Sequence, residues 1–571
     1  MTKDRRHDPK KPPRADRSTA RPTDSTLRNL KDFVVEEIEL GGVTPVGPSV
    51  HKQKKPLAAM PWWRNFMLRV AVTGLALLAV VAALATRTAW PTDETRFLAI
   101  AWEMWARHDL LVPHLNGSPT SVAPMFFWLV QLGWSAAGVQ EWWPRLIPAL
   151  FMLASLFIAP RVAALLWPSE EPWARRVPFV LLGSFYWLAS TTLLTPDFLT
   201  VFFTLLAVHA LLWMWRTRDQ RVWLLLGLEL GLGLLASGSL ILLYVLPIAL
   251  LAPLWTGGTR TMPWSYWYAD LFKAVVLAFG IFALWFVPAA ARVKVATLAP
   301  LLSAPFASHA LDLYDGARPW WWLLVLLPAV AFPWSLWPLP WVRLWDIRRE
   351  PISNGLTFCM LWGTVTVAVF LLSPVRQPQL LLPLAPAFFL AAAWLVLDDR
   401  LEKHDHSRLA TSMVFPLMLL GGVLAVLPKL PRVEFLPDVL WQLSPFVGAA
   451  IIVVGVAAGS LPLPSLSQRV TNMTVTVSVL TTLALLALGW QFNDRHHVQA
   501  AAQKIASAQQ QGQTVAHVGP YTGQFHFHGR LSHPLVQVSA SEAETWVIAH
   551  PDAIVVTTVE NWHPRTAGTT P

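Results

Sequence analysis

The chain has 571 residues, 54% of them hydrophobic and 14% charged, with a mean hydropathy of +0.45. A soluble domain carries about 25% charged residues, so these figures exclude an ordinary soluble enzyme, a disordered chain and a disulfide-built scaffold. The single cysteine, Cys359, allows no intrachain disulfide and leaves the redox compartment unreadable. The net charge of +10 raises nucleic acid as a partner, and its distribution argues against that. Residues 1–65 alone hold 14 Lys and Arg against 8 Asp and Glu, in a Pro- and Thr-rich stretch without a sustained apolar period or interleaved aromatics. This stretch reads as a disordered basic cytoplasmic tail attracted to anionic lipid, and no nucleic acid is expected.

In chain order, the first apolar run, Phe66 to Ala85, has the ~20 residues that span a bilayer core and reads as a retained signal-anchor. Further runs follow near 144–166, 176–194, 196–216, 221–236, 238–255, 269–291, 319–341, 352–373, 378–397, 410–428, 443–461 and 472–490. Together they predict about 13 membrane spans over residues 66–490. One alternate set of loops is rich in Lys and Arg, with Arg175/Arg176, Arg216/Arg218/Arg221, Arg260/Lys273, Arg343/Arg348/Arg349, Arg400/Lys403/Arg408 and Arg469. The positive-inside rule makes that set cytoplasmic, together with the N-terminus, and puts the C-terminus outside. The 32 Trp against 6 Tyr fit residues that sit at membrane–water interfaces.

Two segments lie outside the spans on the non-cytoplasmic side. The loop 87–143 contains two Trp-rich stretches, 95–107 and 123–138, predicted as amphipathic helices in the interface. The tail 491–571 starts with a polar helix at about 493–511 and continues into strand-like runs, Thr514–Val518, Thr545–Ala549 and Ala553–Thr558. It reads as a small α/β domain of ~80 residues. The fold class expected is therefore an α-helical polytopic membrane protein with interfacial helices in its first long loop and a small C-terminal α/β unit.

The loop carries the chemistry-bearing residues. Asp93 and Glu94 stand just beyond the first span, at the start of the predicted helix. Early carboxylates suit the helix dipole, and two adjacent carboxylates at a membrane surface also serve as general base and as metal or substrate ligand. Spacing does not choose between these readings. His114 and His309 are the candidate ligands for a divalent ion, although no spacing of a recognised metal site is present. His526 and His528 would alternate on one strand face.

This stretch resembles the polyprenyl-phosphate-dependent GT-C glycosyltransferases of the protein O-mannosyltransferase and lipid A aminoarabinose transferase group. The likeness rests on Asp93-Glu94-Thr95-Arg96, on Val112-Pro113-His114-Leu115-Asn116-Gly117, and on Ala123-Pro124 before the aromatic run Phe126-Phe127-Trp128. It continues in Arg145-Leu146-Ile147-Pro148, Thr195-Pro196-Asp197, Arg318-Pro319-Trp320-Trp321-Trp322, Phe332-Pro333-Trp334-Ser335, Tyr521-Thr522-Gly523-Gln524-Phe525 and Gly529-Arg530-Leu531. Three elements depart from the family pattern. The family's Lys before a double Pro is Ala123, its Lys-Gly is Ser237-Gly238, and its Lys-x-Pro-x-Tyr is Arg376-Gln377-Pro378-Gln379-Leu380.

The resemblance implies a GT-C-like fold and transfer of a sugar from a polyprenyl-phosphate carrier to a lipid, glycan or protein acceptor at the outer face of a bacterial inner membrane. It makes Asp93 and Glu94 the catalytic carboxylates. Arg96, Asp197, Arg145, Arg318 and Arg376 become the residues that bind substrate or phosphate. The missing lysines favour a second reading, a non-catalytic carrier-binding or assembly protein of the same fold. A transporter would need ionisable groups at mid-membrane depth, and Glu229 is the main one.

Overall fold

A computed structural model describes residues 62–86, 88–89, 94–168, 171–217, 219, 221–257, 263–303, 319–348, 352–373, 377–397, 414–431, 441, 444–461, 463, 465–493 and 498–557. Met1–Asn65 and Phe66–Pro571 are separate units, and the expected basic tail falls almost wholly outside the described residues. The second unit is built mainly of helices. The first are α1 (Trp62–Thr86), α2 (Glu94–Arg107), α3 (Met125–Ala137), α4 (Trp142–Leu166), α5 (Val177–Leu182) and α6 (Phe185–Ser190). They are followed by α7 (Asp197–Arg216), α8 (Val222–Ser237), α9 (Leu240–Leu250), α10 (Trp264–Arg292), α11 (Trp322–Val330), α12 (Pro338–Ile347) and α13 (Asn354–Leu371). The last of the bundle are α14 (Ala385–Leu397), α15 (Phe415–Val426), α16 (Pro445–Gly459) and α17 (Leu466–Asn493).

Among the described residues, α4, α7, α10, α13 and the Leu466–Leu486 part of α17 are long and apolar enough to cross a membrane. The remaining apolar helices are shorter, including α8, α9, α14, α15 and α16. Several of the expected spans are broken. The run 176–194 divides at Gly183-Ser184, where the Ser184 hydroxyl accepts the Trp187 N–H and starts a new helix, α6. The run 319–341 divides between Val330 and Pro338, because Pro338 is preset for a first helical turn and opens α12. Lys273, expected in a loop, lies inside α10, where it donates to Asp270 one turn earlier at 2.9 Å.

The helices share one apolar core. Within it α7 packs against α4 and α8, and α8 packs against α10. Glu229 of α8 is buried in this bundle. The two predicted helices of the first loop are α2 and α3, and a short antiparallel hairpin of β1 (His114–Leu115) and β2 (Ser118–Pro119) lies between them.

The C-terminal segment combines α18 (Val498–Gln510), β3 (Val515–Val518), the helical turn α19 (His526–Gly529), β4 (Val536–Val538), α20 (Ala543–Ala549) and β5 (Ile554–Val556). Its sheet is parallel, in the order β4-β3-β5. Two strand expectations need correction. Thr545–Ala549 belongs to helix α20, because β4 and β5 flank β3 in parallel and a crossover must connect them. His526 and His528 sit in the helical turn α19 and not on a strand.

This segment is clasped to the first loop. The Asn116 side chain both donates to Leu535 O at 2.9 Å and accepts Leu535 N–H at 2.7 Å. The Trp102 indole donates to Leu531 O at 2.9 Å, and Phe527 stacks on Trp134 with centroids 5.7 Å apart. Gly523 packs directly on α2: with φ +92, a Cβ there would lie 2.6 Å from Ala99 Cβ. A side chain at 523 would therefore be strained and would push α2 away.

Candidate active site

The clasp holds α2 in place, and α2 supplies one wall of a cavity. Its first residue, Glu94, is buried, and its Oε1 accepts the Leu194 N–H at 2.9 Å. That bond ties α2 to the turn before α7. In the first turn of α7, Asp197 Oδ2 accepts the Thr195 hydroxyl at 2.7 Å. The carboxylate also suits the positive end of the helix dipole. Arg96 and Phe97 follow Glu94 on α2, and Phe97 meets Phe126 and Phe127 at centroid distances of 5.9 and 6.4 Å.

These residues surround a cavity of about 190 Å³. Arg96 and Phe97 line it, as do Ala123 at the entry to α3, and Thr195 and Asp197. Ser237 and Tyr244 line it from the junction of α8 and α9. That junction needs Gly238 at φ +62, where a Cβ would lie 2.8 Å from the Leu301 carbonyl oxygen. The remaining wall is a 3-10 turn, Pro378–Leu381, with Gln377 and Gln379 facing the cavity lining. Two tyrosine hydroxyls fix this turn: Tyr186 donates to Pro378 O and Tyr244 to Leu380 O, each at 2.7 Å.

The site residues anticipated from sequence divide into three groups. Arg96 and Asp197 meet at the cavity. Asp93, Arg318, Arg376 and His309 lie outside the described residues. Glu94, Arg145 and His114 are described but do not line the cavity. Arg145, anticipated as a phosphate ligand, is buried against α1: it donates to Ala83 O at 3.0 Å and lies 3.5 Å from Glu141. Glu141 in turn accepts the Ala89 N–H at 2.8 Å. The pair stitches the start of α4 to the end of α1, which is a framework role. His114 Nδ1 is bonded to Val112 O at 2.9 Å, and burial lowers its pKa below the usual histidine range, with the Arg107 charge adding to the effect. No group of three or more His, Cys, Asp or Glu that could hold a metal occurs among the described residues.

Sequence reasoning passed over one charged group, Glu103, in the apolar helix α2. It accepts backbone N–H groups of Asn116 and Gly117, pairs with Arg107 at 3.5 Å, and faces His526 Nε2 at 3.5 Å. Burial raises its pKa above the ordinary carboxylate value, against the lowering effect of those partners. His526 is pushed down to about 4, mainly by burial and then by Arg107, and its Nδ1 lies 2.7 Å from the Tyr521 hydroxyl. The sequence signal for this network was an acidic residue between Trp102 and Trp105 in an amphipathic helix, which by itself names no partner.

Residues 121–286 match the family model described as dolichyl-phosphate-mannose-protein mannosyltransferase. Structurally the chain resembles ArnT from Cupriavidus metallidurans in the apo state, with a TM-score of 0.67 at 18% identity, over 86% of this chain and 90% of that one. The chain has a GT-C glycosyltransferase fold.

The same protein bound to undecaprenyl phosphate gives the same TM-score, 0.67, at 19% identity, covering 86% of this chain and 89% of that one. Among curated proteins, this GT-C chain is 27% identical over 303 residues to an undecaprenyl phosphate-alpha-4-amino-4-deoxy-L-arabinose arabinosyl transferase 2 of Pseudomonas fluorescens, covering 52% of this chain and 50% of that one. A second transferase of that name and species is 28% identical over 369 residues, 61% of this chain and 62% of that one. The chain thus spans between half and two thirds of the length of these relatives. Ala123 and Ser237, two of the positions where the resembled pattern carries Lys, lie on the cavity wall.

Proposed function

We propose that this GT-C chain is a membrane glycosyltransferase that moves a sugar from an undecaprenyl-phosphate carrier to lipid A or a related acceptor at the outer face of a bacterial inner membrane. The observation that carries this reading is the meeting of Arg96 and Asp197 in one cavity between the loop helix α2 and the starts of α7 and α9. The transferase names of the relatives and the undecaprenyl phosphate bound by ArnT support the carrier. A cavity of about 190 Å³ is smaller than the ~300–1,000 Å³ of sites that enclose drug-sized ligands. It suits the reacting end of a lipid-linked sugar, with the isoprenyl chain left in the bilayer.

In this reading Asp93 takes the proton of an acceptor hydroxyl as the oxygen attacks the anomeric carbon. The bond from that carbon to the phosphate oxygen breaks, and undecaprenyl phosphate departs with the electron pair. The leaving phosphate needs cations more than an acid, a role assigned to Arg96, with Arg376 and Arg318 as further contributors. Glu94 acts by position: its bond to Leu194 N–H sets the first turn of α2 against α7. Ala123 and Ser237, where the resembled pattern carries Lys, favour a second reading, a carrier-binding protein without transferase activity.

Membranes containing wild type or Asp93→Asn, supplied with radiolabelled undecaprenyl-phosphate aminoarabinose and lipid A, decide between them. Transfer by wild type and a loss of about 100-fold or more in Asp93→Asn are expected, in line with removal of a catalytic proton acceptor. Equal rates would remove Asp93 from the mechanism. Carrier binding without transfer in wild type would establish the second reading.

A further inference from the structure

Helices α4 and α7, both long and apolar enough to cross a membrane, run side by side in the same direction. Two contacts fix their register. Phe151 meets Phe202 with ring centroids 5.4 Å apart, and Arg216 Nε donates to Leu165 O at 2.8 Å. Each pair is 51 residues apart in the chain (202 − 151 and 216 − 165), so Arg161 of α4 stands level with Leu212 of α7. His209 and Trp213 flank that level on one face of α7, with ring centroids 6.0 Å apart. Arg161 acts electrostatically on His209. Arg161 is exposed, His209 is partly exposed, and Trp213 and Phe157 are 37% and 70% exposed, so this face is open to a ligand.

Among the described residues Arg161 makes one hydrogen bond, from Nη1 to Phe157 O at 2.9 Å, and no ion pair. Most of its N–H donors are therefore unused. The bond to Phe157 turns the guanidinium back toward the start of α4, whereas a snorkelling cation extends toward the nearer helix end. From Trp142 to Arg161 the helix rises about 28 Å, close to the ~30 Å thickness of a hydrocarbon core. With Trp142 at one membrane–water interface, Arg161 reaches the other, at the depth of lipid phosphates. Asp197 and the cavity lie at the opposite end of α7. A guanidinium fork matches a phosphate, and basic pockets between spans attract anionic headgroups. We propose that Arg161, His209 and Trp213 form a binding site for an anionic phospholipid of the leaflet opposite the cavity. Its phosphate sits between Arg161 and His209, and an acyl chain runs along Phe157. In the topology proposed above this is the cytoplasmic leaflet, and only the name of the leaflet rests on that reading.

The test is native mass spectrometry of the full-length protein in detergent, titrated with phosphatidylglycerol, phosphatidylcholine or inorganic phosphate. Wild type should bind its first phosphatidylglycerol about tenfold more tightly than phosphatidylcholine, the scale of a charged hydrogen-bonding partner, and inorganic phosphate should not displace it. Arg161→Gln should lose that preference while binding phosphatidylcholine as wild type does. Arg161→Lys, which keeps the charge without the planar fork, and His209→Phe, which keeps a ring without its N–H, should each lose part of it. Arg292→Gln, at an exposed arginine ending α10, should keep it in full. The proposal fails if wild type binds both lipids alike, if the Arg161 and His209 variants keep the preference, or if Arg292→Gln loses as much as Arg161→Gln. Displacement by inorganic phosphate would also overturn it, because the ligand would then be a free phosphate. Sugar transfer enters none of these measurements, so the site and the transferase reading can fail separately.

Discussion

Two arginines near the start of neighbouring helices have opposite duties. Arg96 lines the cavity in which the proposed carrier phosphate would sit. Arg145 is 3% exposed and spends its guanidinium on Ala83 O and Glu141. Arg96→Ala should therefore lower transfer by about 100-fold, the scale for removing a transition-state charge partner, with little change in thermal stability. Arg96→Lys should recover part of the rate, since Lys keeps the charge and loses the planar fork. Arg145→Ala should do the reverse, costing about 2 kcal/mol of stability from the lost charged hydrogen bond. Initial rates and melting temperatures of the two variants, measured side by side, check the contrast. Ala123 offers a complementary gain of function. Ala123→Lys should tighten binding of undecaprenyl phosphate about tenfold, the worth of ~1.4 kcal/mol from one added charge-assisted contact, as read by titration in detergent.

At the scale of elements, the decisive feature is the clasp between the first loop and the C-terminal segment. Its polar centre is Glu103, His526 and Tyr521, with Arg107 alongside. The folded-state pKa of His526, about 4, lies below its ordinary value of 6.5. Its contribution to stability is therefore present above about pH 6.5 and is lost as pH falls toward 4. Glu103 has the opposite sign: its folded-state pKa is raised, so its contribution is present at low pH and is lost as pH rises through that raised value. Hydrogen exchange over residues 498–557 should show the wild-type clasp loosening as pH drops from 6.5 toward 4. In His526→Gln that loosening should weaken, with His114, His517 and His528, whose pKa values burial also lowers, supplying the remainder with the same sign. An unchanged pH profile in the variant would show that His526 is not the titrating group. The clasp also gives Asn116 and Gly523 a physical role. Asn116 pairs with both backbone groups of Leu535, and Gly523 leaves room for α2.

For the whole molecule, the cavity depends on segments far apart in the chain. Loop helix α2, the α7 start, the α8–α9 junction and the turn at Pro378–Leu381 each supply one wall, while the C-terminal segment braces α2 from the other side. Deleting residues 498–571 should leave the apolar helices membrane-inserted but abolish transfer, because α2 and the hairpin lose their cover. Membrane fractionation and the transfer assay on the deleted protein read these two outcomes independently. Retained transfer would show that the bracing is dispensable.

Arg96 and Asp197 became site candidates through the family resemblance, together with Arg145, Arg318 and Arg376, whereas the amino-acid sequence by itself determined the membrane-embedded helical class, the positions of most apolar helices and the two loop helices. These follow from local properties: hydropathy over a span's length, helical periodicity, and residue types at helix starts. Tertiary structure decided what local patterns leave open. It set Arg145 against Ala83 O and Glu141, and Glu94 against the Leu194 N–H, because the backbone groups a charge meets are fixed only by the fold. It converted Thr545–Ala549 from a strand into a crossover helix, because β-branched composition yields to the connection that a parallel sheet requires. It also brought Gln379 to the same cavity wall as Asp197, 182 residues away in the chain (379 − 197). Pairing of that kind depends on three-dimensional proximity, which residue type and spacing do not encode.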